Sequence, residues 1–431
     1  MGRPCFSEAL RVHPGRGGCG VGAVADLGGP SRQVVLDALA GLSAMEHRGG
    51  CLEATGDGAG LLLRTPRRFF ERFVPSARSL AEGEHLSVGM LFFPPGEEGN
   101  LPPTQQEIDF VFRREGLKPL AWRKVPVDPT ALGEGARRSR KEIWQILVGS
   151  GMVARAQLGR ALFRVKSRLE HHFRDLYVAS LAPDTVLYKA MATGAQLARF
   201  YPDLEDPGFV TDLAIFHRRY STNTFSNWYL AQPFRVLGHN GEINTIKAAR
   251  SAVRNLEAEL GLPGLLMHQG SDSADLDRMV ELLVTHGVPL LEALVRLLPA
   301  AWADRPAGTV PKEMLAWQRA VRRAMGSLAA WEGPAAVVAT DGRWLVGLLD
   351  RMGLRPLRWL RTEGGRIVLA SEVGAVPTGG SEVVEVGQLD PGEALAVDLD
   401  TGQVVRPDAV PQVLLATTRL NHRELATEGL L

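Results

Sequence analysis

Cys19 lies in the run Gly17-Gly18-Cys19-Gly20-Val21-Gly22, at the head of the first strand-like segment and directly after a Gly/Pro-rich opening. If the chain were cut between Gly18 and Cys19, one residue would own both a thiol nucleophile and a free α-amine. Such an amine has a reference pKa of about 7.7–8.0, so it can act as general base to its own side chain. A peptide-bonded nitrogen cannot, and the arrangement is that of a nucleophile activated by an N-terminal amine. The stretches HRRYSTNTFSNW (217–228) and HNGEINT (239–245) are the next most informative. Asn240 supplies an amide donor beside the unobstructed N–H of Gly241, a pair suited to a developing oxyanion, although a plain Asn-Gly turn accounts for the same dipeptide. Arg219 could clamp a carboxylate with its planar fork, or form a core-edge ion pair. Asp272, in SDSADLD (271–277), could hold an ammonium group. Ser271, Asp272 and Ser273 also make a good helix N-cap region, with Asp275 in the first turn. His217 and His239 read as structural hydrogen-bonding residues, and Cys5 and Cys51 as small hydrophobes or surface thiols.

Positioning these groups requires both strands and helices. CGVGAVAD (19–26) alternates like a strand and runs into the Gly28-Gly29-Pro30 turn. A helix follows with Ser31 as N-cap, its buried face marked by Val34, Val35, Ala38, Leu39, Leu42 and Met45. LSVGMLFF (86–93) predicts a strand, and Leu158, Leu162, Val165, Leu169 and Phe173 an amphipathic helix. Two strands around Tyr177 and Val186 join through Pro183-Asp184. Helices are predicted from Ile246, Ala249, Val253, Leu256 and Leu260, and from Leu276, Met279, Val280, Leu283 and Val284. AAVVAT, Asp341-Gly342 and RWLVGLL spell a hairpin with a type I′ turn, and ALAVDLDTGQVV suggests another. The basic cluster 137–141 reads as a solvated helix face. Antiparallel sheets flanked by helices give an α+β class.

Composition removes several alternatives. The 431 residues carry 49 Lys+Arg against 48 Asp+Glu, a formal charge of +1, which argues against a polyanion-binding surface spread over the molecule. Hydrophobic residues at 45% and charged residues at 23% suit a folded globular chain rather than a disordered one. No stretch approaches the ~18 consecutive apolar residues of a membrane span, and the opening lacks the apolar centre of a secretory signal. Three cysteines are too few to staple a chain of this size and favour a reducing compartment, so the expected location is cytoplasmic. There is no CxxC, HExxH, Walker loop or GxGxxG before a helix, so neither a metal nor a nucleotide cofactor is expected.

Taken in order, Cys19-Gly-Val-Gly, HRGG (47–50), TGDGAG (55–60), RYSTNT (219–224), AQPFR with HNGEINT (231–245), SDSADLD, and DGRW with DRMGLRP (341–356) resemble the glutamine amidotransferase domain of the glutamate synthase large subunit. That is a class II amidotransferase, an N-terminal nucleophile hydrolase. The resemblance implies a four-layer αββα sandwich, a leader over residues 1–18 that is removed, and a single amidotransferase domain over 19–431. It implies Cys19 as nucleophile and base, Asn240 and Gly241 as oxyanion hole, Arg219 for the substrate α-carboxylate and Asp272 for its α-ammonium. Tyr220, Thr222 and Asn223 would line the glutamine pocket. FMN and an iron–sulfur cluster belong to other parts of such a subunit, so this chain is expected to carry no cofactor and to pass ammonia to a separately encoded synthase chain. Neither nucleic acid nor membrane is expected as a partner. The rival readings are an uncleaved, non-catalytic glutamine-binding sensor or scaffold, and an amidotransferase subunit serving a different synthase.

Overall fold

The computed structural model describes residues 19–52, 54–96, 101–219, 227–244, 247–266, 270–301, 310, 312–325, 330–372 and 374–417. Seven strands, β1 (Gly20–Asp26), β4 (Ala59–Arg64), β9 (Thr185–Ala190), β10 (Leu213–Arg218), β14 (Arg358–Thr362), β15 (Arg366–Ala370) and β16 (Val383–Gln388), form an antiparallel sheet in the order β16-β14-β15-β1-β10-β4-β9. Five more, β11 (Leu237–Gly241), β12 (Ala335–Thr340), β13 (Trp344–Leu349), β17 (Ala394–Asp398) and β18 (Val404–Val405), form a second antiparallel sheet in chain order. β2 (Cys51–Leu52) and β3 (Thr55–Gly56) pair as a short ladder.

The period-2 pattern of the strands decides the layering. Along β12, β13 and β17, Ala336, Val338, Leu345, Leu349, Leu395 and Val397 join the core shared with the seven-stranded sheet. Their alternates Val337, Ala339, Val346, Leu348, Ala394 and Ala396 pack with helices instead. Those helices are α8 (Asp272–Thr285), α9 (Leu290–Leu297), α10 (Lys312–Ala324) and α11 (Val410–Thr417). On the opposite outside, α1 (Arg32–Ala44) and α6 (Gly194–Phe200) cover the first sheet, where Phe216 of β10 meets Gly22 and Gly41 so closely that neither has room for a side chain. The result is the expected αββα sandwich.

A third antiparallel sheet was not anticipated. β5 (Leu86–Phe93), β6 (Lys118–Lys124), β7 (Glu142–Gly149) and β8 (Tyr177–Ala182) pair in the order β6-β7-β5-β8. β5 sends Val88, Met90 and Phe92 to the main core and Leu91 and Phe93 to a second cluster with α3 (Leu101–Arg114) and α5 (Arg155–His172). The Pro183-Asp184 link therefore joins strands of two different sheets rather than a ladder. Short helices α2 (Arg67–Glu71) and α4 (Glu134–Arg138) and the longer α7 (Lys247–Leu260) complete the described elements.

Two local expectations differ in detail. Ser31 occupies the N-cap position of α1 but its side chain makes no cap bond, because its backbone is held by Thr211 on both sides. The Asp341-Gly342 hairpin is present, yet Leu345 pairs with Thr340, and of the two turn residues only Gly342 has positive φ. The turn is therefore not type I′. Asp341 closes it by accepting the N–H groups of Arg343 and Trp344 at 2.9 and 2.7 Å.

Candidate active site

Cys19 precedes β1 and is 1% exposed. β1 pairs with β10 in a register that sets Gly20 against Arg218, so Cys19 lies at the level where β10 delivers Arg219. Facing it across the sandwich is the end of β11. There the Gly241 N–H donates to the Cys19 sulfur. Gly241 has φ +126°, and an added Cβ would lie 1.8 Å from the Pro334 carbonyl oxygen, so both backbone and space demand glycine. Asn240, beside it, is buried with its Oδ1 lacking a hydrogen-bond partner.

Burial pushes the thiol up to about 11; Asp57 adds to this, while Arg219, the Gly241 N–H and Arg355 oppose it. With its nitrogen still in a peptide bond, Cys19 is a protonated, unreactive thiol at neutral pH.

Arg219 adopts φ +97°, a conformation rare outside glycine, and its N–H donates to the Gly58 carbonyl at 2.8 Å. Its Nε lies 3.4 Å from the Asp57 carboxylate but makes no hydrogen bond. Asp57 is already committed: it pairs with Arg218 and accepts the Gly50 N–H at 2.7 Å. Arg218, completely buried, also bonds Glu46 at 2.7 Å and lies directly over Gly49, where any Cβ would strike its guanidinium. The HRGG and TGDGAG motifs thus build a charge-balanced floor that turns Arg218 away from the site and Arg219 toward it.

Two histidines tie the layers together. His217 of β10 donates from Nε2 to the His239 carbonyl of β11 at 2.8 Å, bridging the two sheets one residue from Asn240. The His239 ring meets the Ser273 hydroxyl at 2.6 Å and the Gln232 amide at 3.1 Å, which carries the link to the start of α8. Burial lowers His217 to about 4 and His239 to about 3, so both are neutral. Ser271 caps α8 through the Ala274 N–H at 3.2 Å. Asp272, the first residue of that helix, is paired with Arg250 at 2.8 Å, and Arg250 also holds Asp275 at 2.9 Å.

The structure thus gathers Cys19, Gly241, Asn240 and Arg219 at one end of the sandwich, with Asp272 joined to them through Ser273 and His239. Tyr220, Thr222 and Asn223 lie outside the described residues, as does the segment 1–18. Asp57, Arg218 and Arg250 carried no assigned role in the sequence reading; the two glycines flanking Asp57 in TGDGAG were the available signal. Cys51, read from the sequence as a small hydrophobe or surface thiol, is disulfide-bonded, whereas Cys19 is a free, buried thiol. Among the described residues no group of three or more His, Cys, Asp or Glu is placed to hold a metal, and no helix is long and apolar enough to cross a membrane.

The chain is similar to several known proteins. Ferredoxin-dependent glutamate synthase 1 of Arabidopsis thaliana is 38% identical over 430 residues, covering 93% of this chain and 26% of its own length. The glutamate synthase [NADPH] large chain of Azospirillum brasilense is 37% identical over 408 residues, covering 90% and 26% respectively. The chain spans about a quarter of the length of these curated relatives. Among solved structures, the glutamine phosphoribosylpyrophosphate amidotransferase of B. subtilis aligns over 90% of this chain and 49% of its own, with TM-score 0.40 and 15% identity. The family model described as glutamine amidotransferases class-II matches residues 19–421, and the chain belongs to that family.

Proposed function

We propose that the chain hydrolyses L-glutamine to glutamate and ammonia through a cysteinyl thioester, after removal of residues 1–18 frees the Cys19 amine. The observation that carries this reading is the Gly241 N–H aimed at the Cys19 sulfur, with Arg219 beside it. The α-amine takes the thiol proton, and the sulfur attacks the side-chain carbonyl carbon of glutamine. Negative charge on the carbonyl oxygen is met in this scheme by the Gly241 N–H and the Asn240 side-chain N–H. The proton passes from the amine to the departing nitrogen, the C–N bond breaks, and ammonia leaves a γ-glutamyl thioester. Water, deprotonated by the same amine, attacks the thioester; its collapse expels the sulfur, which recovers the proton, and glutamate departs.

Arg219 holds the α-carboxylate of glutamine in this scheme and Asp272 its α-ammonium, with Tyr220, Thr222 and Asn223 lining the pocket. The Arg250 pairing at 2.8 Å holds the Asp272 carboxylate in one orientation. We further propose that the ammonia passes to a separately encoded cytoplasmic glutamate synthase partner bearing the FMN and iron–sulfur cluster. What supports the synthase acceptor is that the matching region forms a quarter of relatives named glutamate synthase, where it is part of the same chain. Ammonia release from glutamine, measured on the purified chain alongside its intact mass, tests the core of the proposal. Turnover from material that begins at Cys19 is the expected result. A chain that retains its leader, binds glutamine and releases no ammonia would establish the sensor reading instead.

A further inference from the structure

Residues 350–357 carry the chain from the five-stranded sheet to the seven-stranded one. At the start of this crossover the Asp350 carboxylate accepts the N–H groups of Ala335 and Met352 at 3.1 and 2.7 Å. Ala335 is the register partner of Gly241. At its far end Arg358 pairs with Ala370, which in turn pairs with Gly22 of β1. The crossover therefore runs from β13 to β14, each two strands away in its sheet from β11 and β1 respectively, at the Cys19 end of both sheets. Its path is fixed: Gly353 has φ +61° against Pro391, and the Gly392 N–H donates to the Asp350 carbonyl at 2.9 Å.

Arg355 projects from this bridge. Its Nε is buried without a hydrogen-bond partner, and among the described residues no carboxylate pairs with its guanidinium. It lies close enough to act through space on the Cys19 sulfur. The groups facing that sulfur are Arg219 from the end of β10, Asp57 ahead of β4, the Gly241 N–H and Arg355. Since Asp57 offsets part of the charge of Arg219, Arg355 is, among the described residues, the cation near the nucleophile that no carboxylate neutralises.

We propose that Arg355 is a positioning residue for the glutaminase reaction, its guanidinium stabilising the Cys19 thiolate as the thiol proton moves to the α-amine and again when the sulfur is expelled from the thioester. Arg355 keeps its own protons throughout. The inference rests on the glutaminase reading, and its test is chosen to be separable from that reading.

The full chain, with its N-terminus established by intact mass, is alkylated with iodoacetamide across pH and modification at Cys19 is followed by peptide mass spectrometry. Arg355→Met is expected to raise the midpoint by about one pH unit. It should lower kcat at pH 7 by roughly tenfold with KM for glutamine within about twofold, a loss in a chemical step rather than in binding. Arg355→Lys keeps the charge and should restore most of the midpoint. If Arg355→Met does not fold, Arg355→Gln replaces it in the comparison with Arg355→Lys. An unchanged midpoint in the neutral variant overturns the proposal, and a raised KM with that unchanged midpoint would place Arg355 on the substrate instead. A wild-type chain that releases no ammonia removes the glutaminase reading, while the alkylation comparison still reports on the thiolate.

Discussion

Two of the buried polar regions of this molecule differ in how completely their atoms are paired. Beneath β8, between α5 and α8, Glu170 bonds both Arg235 and Arg278 at 2.6 Å, and Lys166 pairs with Glu281. Lys189 spends all three donors, on the Tyr177 hydroxyl and the carbonyls of Tyr229 and Ala231, at 2.9, 2.7 and 2.9 Å. Asp277 accepts three consecutive N–H groups, from Arg235, Val236 and Leu237, just ahead of the oxyanion residues. Around Cys19, Asn240 Oδ1, Arg219 Nε and Arg355 Nε are all buried without hydrogen-bond partners, whereas in the first region only Arg278 Nε is, among the described residues. An unpaired buried polar atom costs roughly 1–3 kcal/mol, so such atoms concentrate where a ligand will supply the missing partner. The first region is scaffold and the second is receptor.

That contrast can be broken by substitution. Cys19→Ala should reduce ammonia release to background while leaving the thermal midpoint within a few degrees, read by glutamine turnover and calorimetry. Glu170→Gln in the scaffold should do the reverse: losing the counter-charge of two buried arginines is expected to destabilise by about 3–5 kcal/mol in urea unfolding. Asn240→Ala should cut turnover by about 10²–10³-fold with a smaller effect on glutamine affinity, and normal turnover would remove Asn240 from the oxyanion hole. Arg219→Ala should raise KM by about tenfold or more with a smaller change in kcat, since a charge-assisted bond contributes roughly 1.5–3 kcal/mol. A receptor-side substitution that mainly altered unfolding would dissolve the distinction.

An effect read by pH rather than by substitution also sharpens the boundary between the regions. His217 and His239 are held neutral in the fold at about 4 and about 3, whereas unfolded histidine titrates near 6.5. The unfolded chain takes up these protons first. Their contribution to stability is therefore intact above pH 6.5 and is lost as pH falls toward 4 and then 3, by up to about 1.4 kcal/mol per pH unit for each ring. His239→Asn should flatten that part of the acid-unfolding profile.

Much of the centre was legible in the sequence because its signals are local. Cys19 stands at the head of the first strand-like run, and Asn240-Gly241 sit together on one strand. Strand alternation and helical spacing gave β1, β5, α5, α8 and the β12–β13 hairpin for the same reason. The hidden parts depend on long separations: Arg218 finds Asp57 and Glu46 across 161 and 172 residues, and no periodicity encodes such a pair. The third sheet escaped notice because β5 is apolar on both faces, which reads as a buried strand without saying against what. The turn type failed because Asp341 uses its carboxylate, not a left-handed backbone, to close the loop.

The place where a side chain on Gly241 would go is taken by the Pro334 carbonyl, one residue before the strand to which Asp350 is fastened. Even a methyl group there would lever β12 outward and drag the anchored bridge with it. Under the proposed mechanism the Gly241 N–H and the Arg355 guanidinium would then shift together, so a substitution at position 241 could not retune one without the other.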